Sequence, residues 1–412
     1  MGSAVSESAS SFPTTNFVTW MAIRWDGLCT TPYGKKLGSK DHCFHGAGSL
    51  WAALKTGARF DRIYSHQMYV DDSMYVRFNA ASFCLRREVN KFMTEEWAVK
   101  LVQGWENWID EAQTTGDLIG EVALGAAHGQ VLAVDTTSVN FYQLCYAVVQ
   151  AAREVSQERN VIVTDAANFP TDRYILQGLA RQMCCELVLI DDEGGNEYVT
   201  AQQLQRAIDS IGADRVALVT LSVVQYRSGA LHDVKKLTKM ATDIGAMFVW
   251  DASHAIGLVD LQFDAWAVDL AVGCTYKYCN AGPGSPGWLY VSNRVQDQLQ
   301  VPIQGWFAQK DQFEMGPHFE RAPDMRGFQI ATPSIISMRC IQASMKLIKE
   351  AGIAIIAAKA VKGTDLMLRL YKHWLQPLGF SCSTPVDAAS RGGHISLHHA
   401  DAYQISLALR DE

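Results

Sequence analysis

Ala246-Met247-Phe248-Val249-Trp250-Asp251 is an apolar run that ends on a carboxylate. Its short length and its branched and aromatic side chains predict a buried strand with Asp251 at the carboxyl end. Further along, Lys277 lies between Tyr276 and Tyr278 at the end of the next strand-like run. Because α/β proteins in general carry Asp and Lys at strand ends, a structural role for the two residues is as good an explanation as a catalytic one on spacing alone.

The centre of the chain alternates between strand-like and helix-like segments. Short apolar runs occupy 160–164, 186–190, 215–220 and 288–291, and helical periods cover 141–154, 201–211 and 234–244. Continuous apolar strands separated by helices predict an α/β fold, with a mostly parallel sheet covered by helices on both faces. Ligands bind such sheets beyond the carboxyl ends of the strands, where Asp251 and Lys277 both fall.

Size and composition limit the classes of protein to consider. With 412 residues, 48% of them hydrophobic, the chain can form one large domain and one smaller one. The net charge of −7, without a dense basic cluster, argues against nucleic acid as a partner. No apolar run approaches the roughly 20 residues of a membrane span, so we expect no membrane insertion.

The ten cysteines include no C-x-x-C pair, and several lie inside apolar runs. This pattern favours neither a metal site nor a disulfide framework, and it is typical of the reducing cytoplasm. Residues 1–16 are rich in Ser, Thr and Ala but contain Glu7 and no Arg, so they make a poor transit peptide.

Polar groups follow other predicted strands. Residues 135–140 (DTTSVN) precede a helical period, where hydroxyls serve as ordinary N-caps or where free N–H groups bind a phosphate. Residues 168–172 (NFPTD) follow the strand at 160–164, either as a simple turn or with Phe169 stacked on a flat ring. Ser222 follows the strand at 215–220, and 226–229 (YRSG) forms a turn that contains a cation.

Together these residues place hydroxyl, carboxylate and aromatic groups at four successive strand ends, which favours a binding site over chance. A carboxylate that keeps a pyridine nitrogen protonated, with a lysine that forms a Schiff base, is the pair that a pyridoxal phosphate enzyme needs.

Several motifs, in order and at matching spacings, resemble those of the kynureninase family. They are NFPTDRY at 168–174, DASHAIG at 251–257, TYKYCNAGPG at 275–284, GWF at 305–307, FEM at 313–315 and RGGH at 391–394. The resemblance runs from about residue 69 to the end of the chain and is strongest over 135–340. It implies pyridoxal 5′-phosphate as cofactor and the aspartate-aminotransferase fold type I. After about residue 330 the pattern itself changes to long helices over 334–371 and one alternating strand over 393–397, which predicts a smaller α+β domain beside the large one.

The resemblance also implies roles for individual residues. Lys277 is expected to carry the cofactor as a Schiff base and Asp251 to pair with the pyridine nitrogen, with His254 beside it. Phe169 is expected to stack on the ring, with Asp172 near its edge. Residues expected to contact the phosphate or other parts of the cofactor are Thr137, Ser138, Thr171, Ser222, Tyr276, Trp306 and Thr332.

Trp306 and Thr332 are expected to reach the cofactor from the other subunit of a homodimer with shared active sites. Arg391 is expected to bind the α-carboxylate of the substrate, because its planar cation suits a carboxylate. Tyr276 is our candidate proton donor in the steps at the substrate carbonyl. The implied reaction is hydrolysis of L-kynurenine or 3-hydroxy-L-kynurenine to anthranilate or 3-hydroxyanthranilate and L-alanine, in tryptophan catabolism and NAD biosynthesis.

The chain departs from the family pattern in three places. Phe78–Phe83 replaces a glycine-rich loop, and Ala308-Gln309 replaces a Gly-His pair of the aryl pocket. The chain also ends at Glu412, so we expect a truncated small domain in which Ile395 and Leu397 lack a covering layer. The expected division is 1–68 as an unmatched extension, 69–110 and 311–412 as the small domain, and 111–310 as the large cofactor-binding domain.

Two alternatives stay open. One is another fold-type I lyase, such as a cysteine desulfurase-like protein, which needs a reactive Cys on a flexible loop. Cys340 lies in a helical period and Cys382 has no glycine-rich flanks, so neither fits well. The other alternative is a catalytically impaired paralogue that binds the cofactor without turnover.

Overall fold

The computed structural model describes residues 82, 84–192 and 194–411. The predictions for residues 1–68 lie outside this part of the chain. So does the loop at Phe78–Phe83, apart from Ser82.

A seven-stranded sheet forms the centre of the molecule, in the spatial order β1-β7-β6-β5-β4-β2-β3. Five neighbouring strands, from β6 to β3, are parallel, and β7 is antiparallel to both of its neighbours. The predicted mostly parallel sheet is therefore confirmed. The strands are β1 Val131–Ala133, β2 Val161–Asp165, β3 Glu186–Ile190, β4 Val216–Ser222, β5 Met247–Asp251, β6 Leu270–Cys274 and β7 Gly287–Val291.

Helices cover both faces of this sheet, as the sequence predicted. One face packs against α1, α4, α5 and α6, and the other against α2 and α3. Within β5, Phe248 and Trp250 face the first layer and Val249 the second, which explains why the strand is apolar throughout. The helices are α1 Glu111–Ile119, α2 Thr137–Val155, α3 Pro170–Met183, α4 Ala201–Ile211, α5 Val234–Asp243, α6 Ile335–Ala351, α7 Ile353–Leu370 and α8 Ala402–Asp411, after shorter helical turns at Phe92–Trp97, Ala98–Lys100, Leu101–Gly104 and Trp105–Trp108.

The sequence did not predict the antiparallel direction of β7. A parallel neighbour would need a long crossover, whereas the 275–286 connection contains turns and no helix. The long helical period at 334–371 is divided in two at Gly352, whose φ of 80° a helix interior does not accept.

A second sheet of two short antiparallel strands, β8 Ser381–Cys382 and β9 Leu397–His398, lies near the end of the chain. The prediction of one alternating strand over 393–397 is wrong for most of its length. Gly393 instead packs so closely on Leu258 that a Cβ there would lie 1.7 Å from Leu258 Cδ2. This contact packs the segment against the turns that follow β5.

The expectation that Ile395 and Leu397 lack a covering layer is also wrong. Both are buried, with 6% and 2% of their surface exposed, in a cluster with Met367 and Leu375. Helix α7 and the turn after it supply the layer.

Among the helices of the described residues, none has both the length and the hydropathy needed to cross a membrane. The same part of the chain contains no group of three or more His, Cys, Asp or Glu side chains that could hold a metal ion.

Candidate functional site

The carboxyl ends of the parallel strands bring the predicted polar residues to one edge of the sheet. Ser222 and Asp251 are the last residues of β4 and β5 and are direct partners in the register. Asp165 closes β2, and the segment that carries Lys277 begins where β6 ends, at Cys274. Parallel strands therefore place these groups where ligands bind in such sheets.

Lys277 lies between an imidazole and an aromatic ring. Its Nζ is 3.1 Å from His254 Nε2 and 5.6 Å from the centre of the Phe169 ring. Burial, and then the charge of Lys277, holds the pKa of His254 well below its usual range. His254 is consequently neutral, and its Nε2 can accept a hydrogen bond from Lys277 Nζ.

Two buried carboxyls lie next to Lys277. Asp172 shares a hydrogen bond with Asp251, and burial, followed by the charge of Asp251, raises the pKa of Asp172 well above its ordinary value. Burial and the neighbouring carboxylate thus favour the protonated form of Asp172. Asp251 Oδ1 also accepts a hydrogen bond from the backbone N–H of Ser253 at 2.8 Å, which fixes its orientation.

The loop before α3 is tied to the end of β4. Ser222 Oγ donates to Asn168 Oδ1 at 3.1 Å, and the same oxygen accepts the backbone N–H of Phe169 at 2.7 Å. Tyr226 packs edge-on against Phe169, with ring centres 5.2 Å apart. These contacts hold the Phe169 ring above the strand ends while 36% of its surface stays exposed.

The start of α2 reaches the same edge through β7. Gly287 begins β7 so close to α2 that a Cβ there would lie 2.8 Å from the backbone nitrogen of Thr137. Thr136 caps the helix by accepting the N–H of Val139 at 3.3 Å, and this leaves Thr137 and Ser138 as the first residues of α2. A helix N-terminus with free N–H groups and two hydroxyls is suited to a phosphate.

Tyr276 is half-exposed beside this edge. Burial, followed by the neighbouring Cys274 thiol, raises its pKa to about 12. The phenol is thus protonated at neutral pH and can donate a hydrogen bond or a proton.

Trp306 and Thr332 are both exposed. The backbones of their two segments are in contact, since a Cβ on Gly305 would lie 1.9 Å from the carbonyl oxygen of Ile330. Neither residue forms a hydrogen bond or ring contact with Lys277 in the described part of this single chain. Thr171, half-buried, is the second residue of α3.

Among the described residues, the side chain of Arg391 forms its hydrogen bonds with groups outside the cluster around Lys277. Its side chain is fully buried, and its hydrogen bonds go to Thr364, Asp365 and the backbone carbonyl of Val386. In the segment that the sequence predicted to be an altered aryl pocket, Gln309 Oε1 accepts the backbone N–H of Glu320 at 2.7 Å. The side-chain amide of Gln309 thus binds its own loop.

Sequence reasoning gave no role to His394 or Tyr278. The His394 ring lies 5.8 Å from the His254 ring, and the Tyr278 hydroxyl lies 3.4 Å from His394 Nδ1. Burial lowers the pKa of His394 to about 3, so this second imidazole is neutral as well. Both residues fall inside quoted motifs, TYKYCN and RGGH, which is the signal that pointed to them.

The residues at this edge fit pyridoxal 5′-phosphate. Asp172 Oδ2 is buried without a hydrogen-bond partner among the described residues, and its neighbour Asp251 is a carboxyl group that can pair with a pyridine nitrogen. Lys277 supplies the amine, Phe169 an exposed ring face, and the start of α2 the phosphate donors.

Comparisons with known proteins agree with this geometry. The family model described as Aminotransferase class-V matches residues 136–409. Kynureninase from Pseudomonas fluorescens is 33% identical over 323 residues, which cover 77% of this chain and 74% of that protein. Kynureninase from Burkholderia pseudomallei (strain K96243) is 33% identical over 318 residues, 76% of this chain and 73% of that one.

Solved structures of cysteine desulfurases share the fold. The apo structure of the enzyme from Thermococcus onnurineus NA1 has a TM-score of 0.65 and 19% identity, and it covers 78% of each chain. CsdA from Escherichia coli has a TM-score of 0.63 and 12% identity, also over 78% of each chain. At these identities the likeness concerns the fold alone.

Proposed function

We propose that this chain, which belongs to the aminotransferase class-V family and to the kynureninases within it, hydrolyses L-kynurenine or 3-hydroxy-L-kynurenine. The products are anthranilate or 3-hydroxyanthranilate and L-alanine. The chain is a pyridoxal phosphate-dependent hydrolase that acts on a carbon–carbon bond, and the kynurenine substrates are the finer part of the proposal. Its place in metabolism is then tryptophan catabolism and NAD biosynthesis.

One observation carries the proposal. The Lys277 amine lies 3.1 Å from a neutral imidazole at the strand ends, beside the hydrogen-bonded carboxyl pair of Asp172 and Asp251. A purely structural Asp or Lys at a strand end needs neither the proton-sharing partner Asp172 nor the neutral His254.

Each group has a task in the proposed reaction. When bound, pyridoxal phosphate supplies an electron sink for negative charge that develops at the substrate carbons. Asp251 keeps a proton on the ring nitrogen, and the freed amine of Lys277 moves the proton at the substrate Cα. Tyr276, protonated because its pKa is about 12, donates to the oxygen of the γ-carbonyl as water adds to it.

The remaining assignments are part of the same proposal. Thr137, Ser138 and Thr171 contact the cofactor, and Arg391 binds the substrate α-carboxylate. Trp306 and Thr332 act across a homodimer interface, which accounts for their exposure in a single chain. Residues 111–310 form the cofactor-binding domain, 69–110 and 311–412 form the small domain, and the protein works in the cytoplasm.

The test uses purified protein loaded with the cofactor. We expect visible absorbance from the Schiff base and fluorescent anthranilate products from L-kynurenine or 3-hydroxy-L-kynurenine. Lys277→Ala should lose both, whereas Lys239→Ala, which changes an exposed lysine paired with Asp243, should keep both. Absence of both signals in the unaltered protein would overturn the proposal, and absorbance without product would favour a catalytically impaired paralogue.

The desulfurase alternative finds little support in the cysteines. Cys340 lies within α6, and Cys382 lies in β8 paired with Leu397. Burial raises the pKa of both thiols, which disfavours the reactive thiolate that such an enzyme needs. Release of sulfide from L-cysteine in the same assay would reverse this ranking.

A further inference from the structure

The guanidinium of Arg391 is occupied on three sides by its own chain. Nε donates to Thr364 Oγ1 at 2.9 Å, Nη1 donates to the carbonyl of Val386, and Nη2 donates to the carboxylate of Asp365. None of the Arg391 side chain is exposed, while half of the Asp365 side chain is.

The three partners differ in how easily they can leave. Thr364 is buried, and its hydroxyl is anchored to α7 by hydrogen bonds to the carbonyls of Ala360, at 3.0 Å, and Val361, at 3.1 Å. The Val386 partner is part of the main chain. Asp365 is the charged partner, and because half of its side chain is exposed it can turn into water. The buried Nη2 of Arg391 then needs another acceptor in its place.

A substrate carboxylate has the same charge and the same two oxygens as the carboxylate of Asp365. Two carboxylates on one guanidinium would repel each other, so one must leave when the other binds. Thr364 and Val386 would meanwhile hold the guanidinium of Arg391 in place.

We propose that Asp365 is a specificity-determining residue that occupies the carboxylate site of Arg391 until a substrate α-carboxylate displaces it. This inference rests on the proposed function, since it assigns Arg391 to the substrate. Two consequences follow. Apparent affinity for the substrate is reduced by the fraction of chains in which Asp365 holds the site. Amines without a carboxylate do not displace Asp365 from Arg391, so Arg391 adds nothing to their binding affinity.

The test measures binding of L-alanine, the proposed product, to the cofactor-loaded protein through the change in visible absorbance. Asp365→Asn keeps the shape but removes the charge, and we expect the dissociation constant for L-alanine to fall about five- to tenfold. L-alaninamide, which lacks the carboxylate, should bind the variant and the parent equally well.

Thr364→Val serves as the matched control. It removes an orienting partner and no competing charge, so it should weaken L-alanine binding, the opposite sign from Asp365→Asn. Asp365→Ser provides a second neutral variant, and the urea unfolding curve of each protein establishes that it is folded.

An unchanged or larger dissociation constant in both neutral Asp365 variants would overturn the inference, because Asp365 would then orient Arg391 or take no part in binding. This readout is independent of carbon–carbon cleavage. A protein that binds L-alanine as expected but releases no anthranilate would refute the proposed reaction and leave the inference standing.

Discussion

Replacing Asp165 with Asn should make the stability of this protein less dependent on pH. Asp165 is the last residue of β2 and is 1% exposed. Burial raises its pKa from 3.8 to about 7, against the smaller lowering effects of Arg173 and of the Asn168 backbone N–H. The unfolded chain therefore releases this proton near its ordinary pKa, while the folded chain holds it until near neutrality.

The sign follows from proton linkage. Between the two pKa values the folded state binds more protons than the unfolded state, so the free energy of unfolding falls as pH rises through this window. Asp165 has a pKa of 3.8 in the unfolded chain and of about 7 in the folded chain. Its ionisation therefore imposes a penalty on the free energy of unfolding that grows by about 3 kcal/mol between about pH 5 and pH 8. Above the folded pKa the penalty is complete, at about 4 kcal/mol.

Asparagine has nearly the same volume and does not ionise, so Asp165→Asn removes this pH-dependent penalty. Burial of its amide lowers the free energy of unfolding by about 1 to 2 kcal/mol at any pH. This cost shifts the stability of the variant but does not change how that stability depends on pH. The free energy of unfolding is measured by urea titration with tryptophan fluorescence. The value for the variant minus the value for the parent should be about 3 kcal/mol larger near pH 8 than near pH 5.

Asp209→Asn, on the exposed side of α4, is the matched control and should change stability by less than about 0.5 kcal/mol at either pH. A difference between Asp165→Asn and the parent that is the same at both pH values would refute the reasoning. Asp165 would then ionise in the folded protein at an ordinary pKa.

The carboxyl pair and a crowded glycine give further predictions. Because burial and the charge of Asp251 favour the protonated form of Asp172, Asp172→Asn should change the cofactor dissociation constant less than about threefold, whereas Asp251→Asn should raise it more than about tenfold. Equal losses in equilibrium dialysis would contradict this assignment. Gly229→Ala should lower the free energy of unfolding by about 1 to 3 kcal/mol, because Gly229 has a φ of 73° and a Cβ there would lie 2.5 Å from the His394 carbonyl oxygen. Gly129→Ala, at a φ of 77° with open space around it, isolates the backbone contribution in the same urea titration, and equal losses in the two variants would exclude crowding as the cause.

The local pattern of the chain predicted most of the large sheet. Apolar runs and helical periods lie where β2, β3, β4, β5, α4 and α5 are found, with boundaries that differ by no more than two residues. Those signals are local, because a buried strand must be apolar on both faces and a surface helix on one. The direction of β7 and the packing of 393–397 are absent from such patterns, since they depend on partners far away in the sequence.

The candidate site divides in the same way. The motifs around Asp251, Lys277 and Phe169 determined which residues lie at the strand ends, because a parallel sheet brings the ends of its strands together wherever the loops lead. Only the tertiary structure decided the state of each group. It raised the pKa of Asp172 through burial and the contact with Asp251, made His254 neutral through burial, and paired Arg391 with Asp365. These properties arise from desolvation and from contacts between distant segments, which no local pattern of residues contains.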